Sequence, residues 1–163
     1  MPLSAPSFSF LPFSPAPFNY DQAFDRNIGW VTAAEQASLR GRCVAIAGMG
    51  GVGGIHLLTL VRLGIGAVHI ADFDTFDIAN FNRQAGATVD SIGRPKLDVM
   101  AEMALAINPE LRIERFPDGV TEGNLDRFLD GADLFVDGLD FFALGIRRQV
   151  FARAEQLGIP AVT

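Results

Sequence analysis

Short apolar runs alternate with longer amphipathic segments from Cys43 onward. Apolar runs of about five residues are typical of buried strands, whereas apolar residues spaced three and four apart indicate helices. Strands that alternate with helices favour a parallel sheet covered on both faces. We therefore expect an α/β, Rossmann-like, doubly wound and mainly parallel sheet. The pattern predicts strands at 43–48, 67–72, 111–116, 133–137 and 159–163, and helices at 53–64, 94–107, 123–130 and 141–157.

The two ends of the chain differ from this alternating region. Residues 1–18 are rich in Pro, Ser and Phe, and we expect a disordered tail there because proline disfavours regular helix. A helical segment is expected within 19–41, where Thr32 and Glu35 match a capping box. The alternating region, 42–163, stops at an apolar run that begins a strand. We therefore expect a domain that is truncated at its C-terminal side.

A glycine-rich segment follows the first predicted strand. Gly48, Gly50 and Gly53 satisfy the pattern G-x-G-x-x-G, and Asp72 closes the next apolar run at the usual distance. Glycines there permit a tight turn and a close approach of the backbone to a phosphate, and the helix that follows offers free N–H groups. A carboxylate at the position of Asp72 can accept both ribose hydroxyls. These features predict a nucleotide site that fits either NAD or ATP.

Polar residues further along the chain distinguish between these nucleotides. Asn80 and Arg83 lie one helical turn apart, so we expect both to project to one side and hold phosphate oxygens. Pro95 is suited to the first turn of a helix and places Lys96 beside its N-terminus. An ammonium group there could neutralise a triphosphate, which NAD lacks.

Two carboxylates follow the fourth predicted strand. Asp137 and Asp140 lie at the carboxyl end of that strand, where ligands bind to sheets of this class. Carboxylates at that edge suit Mg²⁺, which takes one or two of them together with phosphates and water. Asp140 could instead, or in addition, be the N-cap of the following helix.

Composition excludes several other classes of protein. The formal net charge of −6 and the pI near 4.8 argue against a nucleic-acid surface, which needs clustered basic residues. Cys43 is the only cysteine, so no disulfide can form within the chain, which fits a cytoplasmic protein. We expect Cys43 to be a small core residue. No apolar stretch reaches the ~20 residues needed to span a membrane, and we expect no membrane association.

The ordered segments GMGGVGG, ADFD, NFNRQ, GRPK, INPE and VDGLD resemble the ubiquitin-activating-enzyme superfamily in its bacterial ThiF/MoeB/HesA form. The resemblance covers about residues 20–163. It implies that 42–163 is a ThiF-type adenylation domain, incomplete at its C-terminus, which uses ATP and Mg²⁺. The implied substrate is the C-terminal carboxylate of a ubiquitin-like or sulfur-carrier protein, or another carboxylate, with release of pyrophosphate. The resemblance also implies a homodimer.

The resemblance further implies which residues bind the nucleotide. The ribose-binding acid corresponds to Asp72, and the loop under the nucleotide corresponds to Gly48, Gly50, Gly51 and Gly53. The residues that hold the ATP phosphates correspond to Asn80, Arg83 and Lys96.

The resemblance also implies which residues supply or bind positive charge at the reacting phosphate. Asp140 corresponds to the acid associated with Mg²⁺. Arg26 corresponds to an arginine finger that enters the partner subunit's site, although Asn27 stands where the family often has Gln. Catalytic charge would thus come from Arg26, Arg83 and Lys96.

Departures from the family pattern keep two alternatives open. Phe141 and Phe142 follow Asp140 where better-known members have Asn, and the sequence holds neither a thioester-forming cysteine nor zinc-binding Cys-x-x-Cys pairs. A catalytically incomplete ThiF-fold scaffold is therefore one alternative. An NAD-dependent oxidoreductase is the other; it explains the glycines but leaves NFNRQ and GRPK without a role, and neither His56 nor His69 is a persuasive proton donor.

Overall fold

Five parallel strands form one sheet in the computed structural model, which describes residues 17–163. The strands are β1 (Cys43–Ala47), β2 (Ala67–Ala71), β3 (Arg112–Phe116), β4 (Leu134–Asp137) and β5 (Ala161–Val162). Their order across the sheet is β3-β2-β1-β4-β5. From β1 the chain adds β2 and β3 on one side, and then crosses back to add β4 and β5 on the other side of β1. This reversal opens a crevice at the carboxyl ends of β1 and β4, where sheets of this class bind ligands.

Helices connect the strands and cover both faces of the sheet. They are α1 (Tyr20–Ala23), α2 (Ala33–Leu39), α3 (Gly51–Leu63), α4 (Lys96–Ile107), α5 (Leu125–Leu129) and α6 (Leu144–Leu157). Val44 and Ile46 of β1 pack with α3 and α4 in one buried cluster. Ala45 and Ala47 belong to a second cluster with residues of α5 and α6. Successive side chains of a strand point to opposite faces, so β1 contributes to both cores. The expected α/β, parallel, doubly wound architecture is confirmed.

Several helices begin at different residues from those predicted. α3 starts at Gly51, so its first turn includes the end of the glycine loop. α4 starts two residues later than predicted, because Pro95 has an extended ψ of 131° and serves as its N-cap. α6 starts at Leu144 with Ala143 as its N-cap. The prediction that Asp140 is the N-cap of this helix is therefore wrong; the segment before α6 is a loop.

The N-terminal segment is attached to the C-terminal end of α3. Tyr20 Oη donates a hydrogen bond to the carbonyl of Gly64, and the Asn27 and Gln36 side-chain amides donate to the carbonyl of Leu63 at 3.2 and 2.9 Å. Such bonds satisfy carbonyls that a helix end leaves without intrahelical partners. The predicted capping box of Thr32 and Glu35 is confirmed at the start of α2. The expected disorder of 1–18 falls mostly outside the described residues.

Cys43 at the start of β1 is half-buried, and its environment disfavours the thiolate. Burial, together with the negative charge of Asp133, raises the pKa of the thiol to about 11. At pH 8 we expect alkylation by iodoacetamide to be at least about a hundredfold slower than for an ordinary cysteine, since only the thiolate reacts. The rate should rise about tenfold per pH unit until the pH approaches 11. The same chain unfolded in urea is the control, and equal rates in the two states would contradict the prediction.

Candidate nucleotide site

A pocket of about 340 Å³ lies at the carboxyl ends of β1, β2 and β4. Its volume falls within the range of small-molecule sites, roughly 300–1,000 Å³. The pocket floor is the glycine loop, and charged residues from three other segments surround it. The predicted site residues that line it are Gly48, Gly50, Gly51, Asp72, Arg83, Lys96 and Asp140.

The glycine loop is packed against the loop that follows β4. Gly48 has φ +89°, and a Cβ there would overlap the carbonyl of Gly138. A Cβ at Gly53 would overlap the carbonyl oxygen of Gly48 and approach Ile46. Neither position has space for a side chain, so Gly53 belongs to the packing beneath the pocket and does not line it. The first turn of α3 lines the pocket with Gly51 and Val52, and the free N–H groups of a helix's first turn are suited to binding phosphate groups.

Asp72 joins the end of β2 to the glycine loop. Its Oδ2 accepts a hydrogen bond from the N–H of Met49 at 2.6 Å, and its Oδ1 accepts one from the N–H of Asp74 at 2.7 Å. A carboxylate has about four lone-pair sites, so each oxygen retains capacity for a further donor such as a ribose hydroxyl. Asp72 thus anchors the glycine loop, and its role at the ribose stays a prediction.

Lys96 is buried at the start of α4, lines the pocket and forms an ion pair with Asp74. Its side chain is 8% exposed, and Nζ donates to Asp74 Oδ2 at 2.9 Å. The backbone N–H of Lys96 also bonds to the carbonyl of Asp74, at 2.9 Å. An ammonium buried beside a single carboxylate costs desolvation energy, and an anionic ligand would offset that cost. The predicted position beside the helix N-terminus is observed.

Arg83 and Asn80 are separated more than their spacing predicts. Arg83 is exposed and lines the pocket, with Nη1 donating to the carbonyl of Ala79 at 2.9 Å. The Asn80 side chain does not line the pocket, because its Oδ1 accepts the N–H of Asp77 and caps a 3₁₀ turn at Ile78–Asn80. The 3₁₀ turn ends at Asn80 and Arg83 lies beyond it, so no continuous helix relates the two side chains as the spacing of three had suggested.

The two carboxylates after β4 have different environments. Asp140 is exposed at the pocket, and within residues 17–163 its carboxylate accepts only one hydrogen bond, from the N–H of Phe142 to Oδ1. Its second oxygen suits a hydrated Mg²⁺ held partly by phosphates. No group of three or more potential metal ligands occurs in that part of the chain. Asp137 is fully buried and ion-paired with Arg147 at 2.7 Å, so it is unsuited to a metal.

Arg26 lies far from the pocket of its own chain. Its neighbour Asn27 is bonded to the last turn of α3, whereas the pocket is at the first turn. A helix of 13 residues is about 20 Å long, so Arg26 is separated from the glycine loop by roughly that distance. Its side chain is 97% exposed, and the carboxylate of Asp25 is 3.8 Å away.

Three residues at the site were not assigned roles from the sequence. Gln84 lines the pocket and is 8% exposed, and its buried Oε1 has no hydrogen-bond partner within residues 17–163. An unpaired buried oxygen is costly, so Gln84 has capacity for a ligand. In the sequence, the position of Gln84 directly after Arg83 was the feature that could have identified it as a site residue. Asp74 and Arg147 had no comparable signal, because only the folded chain brings them to Lys96 and Asp137.

Comparisons with known proteins show the family to which the chain belongs. A family model described as the ThiF family matches residues 24–163. The chain belongs to the ThiF family. Among curated members, the tRNA threonylcarbamoyladenosine dehydratase of Bacillus subtilis is 35% identical over 107 residues, which are 66% of this chain and 42% of that protein. Ubiquitin-like modifier-activating enzyme 5 of Drosophila virilis is 39% identical over 92 residues, covering 56% of this chain and 23% of that protein.

A solved ThiF-family structure matches the fold closely. The crystal structure of the E. coli tRNA N6-threonylcarbamoyladenosine dehydratase TcdA, in complex with ATP, superimposes with a TM-score of 0.83 and 30% sequence identity. The match covers 88% of this chain and 58% of TcdA. The chain thus spans less than two thirds of the relatives that it matches. No helix within residues 17–163 is long and apolar enough to span a membrane.

Proposed function

We propose that the pocket binds Mg-ATP and that the protein adenylates a carboxylate, releasing pyrophosphate. One observation carries this proposal: the fold brings Lys96 and Arg83 to the same pocket as the glycine loop and Asp72. A dinucleotide site explains the loop and the acid but gives the two cations no role. Binding of ATP by the similar TcdA chain supports the same choice.

The residues of the pocket suit the charge changes of this reaction. A carboxylate oxygen forms a bond to the α-phosphorus, the bond from that phosphorus to its bridging oxygen breaks, and the electron pair leaves with pyrophosphate. Lys96 and Arg83 are placed to stabilise negative charge on the phosphates, while Asp72 orients the ribose. Positioning and preorganised charge supply most of the rate enhancement in such transfers, so no side-chain nucleophile is needed.

We propose that Mg²⁺ binds together with ATP and that Asp140 is the carboxylate associated with the ion. A bound Mg²⁺ would neutralise phosphate charge. The pocket offers one accessible carboxylate after β4, and Asp74 also lines it, although Asp74 is paired with Lys96. Asn80 stays a proposed phosphate ligand only if its turn rearranges when the nucleotide binds.

A ubiquitin-like or sulfur-carrier protein is the substrate we favour. Most arginines of residues 17–163 are paired with carboxylates, as in Arg40–Glu110 and Arg42–Asp133, which leaves little free positive charge for RNA. The similarity to two enzymes named for tRNA threonylcarbamoyladenosine supports a carboxylate on tRNA as a second candidate. The single cysteine fits the cytoplasm as the proposed compartment.

ATP–pyrophosphate exchange tests the proposed function directly. The protein is incubated with ATP and labelled pyrophosphate, together with either a panel of carrier proteins ending in a free carboxylate or total tRNA. Exchange that depends on a carrier protein supports the favoured substrate, and exchange that depends on tRNA supports the second candidate. Binding of NADH in preference to ATP, or no binding of either nucleotide, would contradict the proposal.

We propose a homodimer in which Arg26 of each subunit completes the other subunit's site. The separation of about 20 Å between Arg26 and its own pocket supports this arrangement, since the side chain cannot cover that distance. Closed twofold dimers are the commonest symmetric assemblies, and their symmetry generates two equivalent sites.

Co-expression of two inactive variants tests this arrangement. Arg26→Ala and Lys96→Met should each lose exchange activity, because each removes a cation from the site. Random assembly makes half of the dimers mixed, and each mixed dimer has one intact site, so co-expression should restore about a quarter of the wild-type activity. The control is a mixture of the two variants purified separately, under conditions in which the dimers do not swap subunits. No restoration by co-expressed chains would indicate that Arg26 does not act across a dimer.

A further inference from the structure

Arg147 of α6 makes four hydrogen bonds, one to the end of β4 and three to the loop between β4 and α6. Its Nε donates to Asp137 Oδ2 at 2.7 Å, and its Nη atoms donate to the carbonyls of Leu139, Asp140 and Phe141 at 2.8, 3.1 and 3.3 Å. A guanidinium group presents five donors in a rigid plane, which a lysine ammonium cannot reproduce. Arg147 therefore connects a helix and the end of a central strand to three consecutive carbonyls of the loop.

The side chains of this loop provide few alternative anchors. Phe141 and Phe142 contact each other edge to face, but they are 76% and 86% exposed. Asp140 is exposed as well, and its Oδ1 bonds only within the loop. Leu139 is the one apolar side chain of the segment that packs against a core cluster. The position of the loop thus depends largely on polar contacts to its backbone. Arg147 supplies three of them, and the N–H groups of Gly138 and Leu139 donate to the Ala47 carbonyl and to Asp137 Oδ1.

The same loop is in backbone contact with the glycine loop. Gly138 approaches Gly48 and Gly53 so closely that a Cβ at any of the three would overlap another backbone atom. A shift of the segment 138–142 would therefore be transmitted to the floor of the pocket. Gly138, Leu139 and Asp140 also line the pocket themselves.

We propose that Arg147 is a positioning residue for the nucleotide site: it holds the segment 138–142 against the glycine loop and sets the position of Asp140. Arg147 does not line the pocket and acts through the loop. This inference rests on the proposed function, because it concerns the same Mg-ATP site. Misplacement of a binding group by about 1 Å can cost up to about a hundredfold in rate, so such support has a measurable effect.

Arg147→Lys tests the inference while keeping a positive charge beside buried Asp137. The measurement is the Kd of ATP in excess Mg²⁺, obtained by equilibrium dialysis of labelled ATP. We expect Arg147→Lys to weaken binding about tenfold, because the ammonium retains the ion pair but loses most of the carbonyl contacts. Arg148→Lys is the matched control: Arg148 is the exposed neighbour on α6, and its variant should bind within about twofold of the wild type.

A double-mutant cycle separates loop positioning from general loss of structure. If Arg147 acts through Asp140, Arg147→Lys combined with Asp140→Ala should weaken binding by little more than Asp140→Ala alone. Hydrogen exchange should also become faster at amides 138–143 in Arg147→Lys and stay unchanged in β1 and β2.

The outcomes distinguish this inference from the proposed function. Wild-type protein that does not bind Mg-ATP would contradict the proposed function and this inference with it. Wild-type binding that Arg147→Lys leaves unchanged would contradict the inference alone. Fully additive effects in the cycle, no effect of Asp140→Ala, or an Arg147→Lys chain that fails to fold would also overturn it, since each shows a role other than positioning Asp140.

Discussion

Replacing Lys96 with methionine is expected to lower ATP–pyrophosphate exchange about 10²–10³-fold while the protein stays folded. Methionine has a similar length and lacks the charge. Lys96 is buried at the pocket and is held by Asp74, so its ammonium is preorganised where the phosphates of ATP would lie. Preorganised charge in a pocket is worth more than the same charge in water, because no solvent must reorganise during the reaction.

The fold should tolerate the loss of the Lys96 ammonium because Asp74, which pairs with it, is exposed to solvent. Asp74 is 54% exposed on its side chain, so water can solvate its carboxylate when the ammonium is removed. Arg94→Met is the matched control: it removes one positive charge two residues earlier, where Arg94 pairs with Glu102 on the surface. We expect Arg94→Met to retain activity. An active Lys96→Met protein would refute the phosphate role.

Lys96 is also the only lysine of the sequence, which permits a direct chemical test. An amine-reactive reagent can modify only Lys96 and the N-terminus, so mass spectrometry locates the label without ambiguity. Bound Mg-ATP should protect Lys96 and leave the N-terminus reactive. Equal labelling of Lys96 with and without ATP would indicate that the nucleotide does not contact it.

Replacing Gly53 with alanine is expected to abolish detectable ATP binding and to reduce the free energy of unfolding by about 1–3 kcal/mol or more. The added methyl group would overlap the carbonyl oxygen of Gly48 and crowd Ile46, both of which lie at the end of β1. Relief of the overlap requires the glycine loop to move away from α3. That movement would displace the backbone groups that form the pocket floor.

Urea unfolding and equilibrium dialysis measure the two parts of this prediction. Gly145→Ala is the matched control, because Gly145 lies in α6 with no atom near the position of its Cβ. Alanine is favoured over glycine in helices, so the control should be neutral or stabilising by up to about 1 kcal/mol. A Gly53→Ala protein as stable as the wild type, with unchanged ATP binding, would show that Gly53 is not tightly packed against Gly48.

Local sequence patterns predicted the architecture and the floor of the pocket. Alternating strands and helices, the glycine loop and Asp72 were all predictable, because each depends on residues within about one βαβ unit. The helix starts at Lys96 and Leu144 were missed by two and three residues, respectively. Before Lys96 the chain is hydrogen-bonded to Asp74 and Phe76, about twenty residues earlier, and before Leu144 the loop carbonyls are bound by Arg147.

The sequence by itself determined the family resemblance, the parallel sheet and seven of the residues that line the pocket. Only the tertiary structure decided that Lys96 is buried against Asp74, that Asn80 caps its own turn, and that Arg26 lies near the far end of α3. Only the tertiary structure, likewise, joined Arg147 to the loop after β4. The physical reason is that periodicity and turn chemistry act between near neighbours, whereas charge pairing and loop anchoring depend on the path of the whole chain.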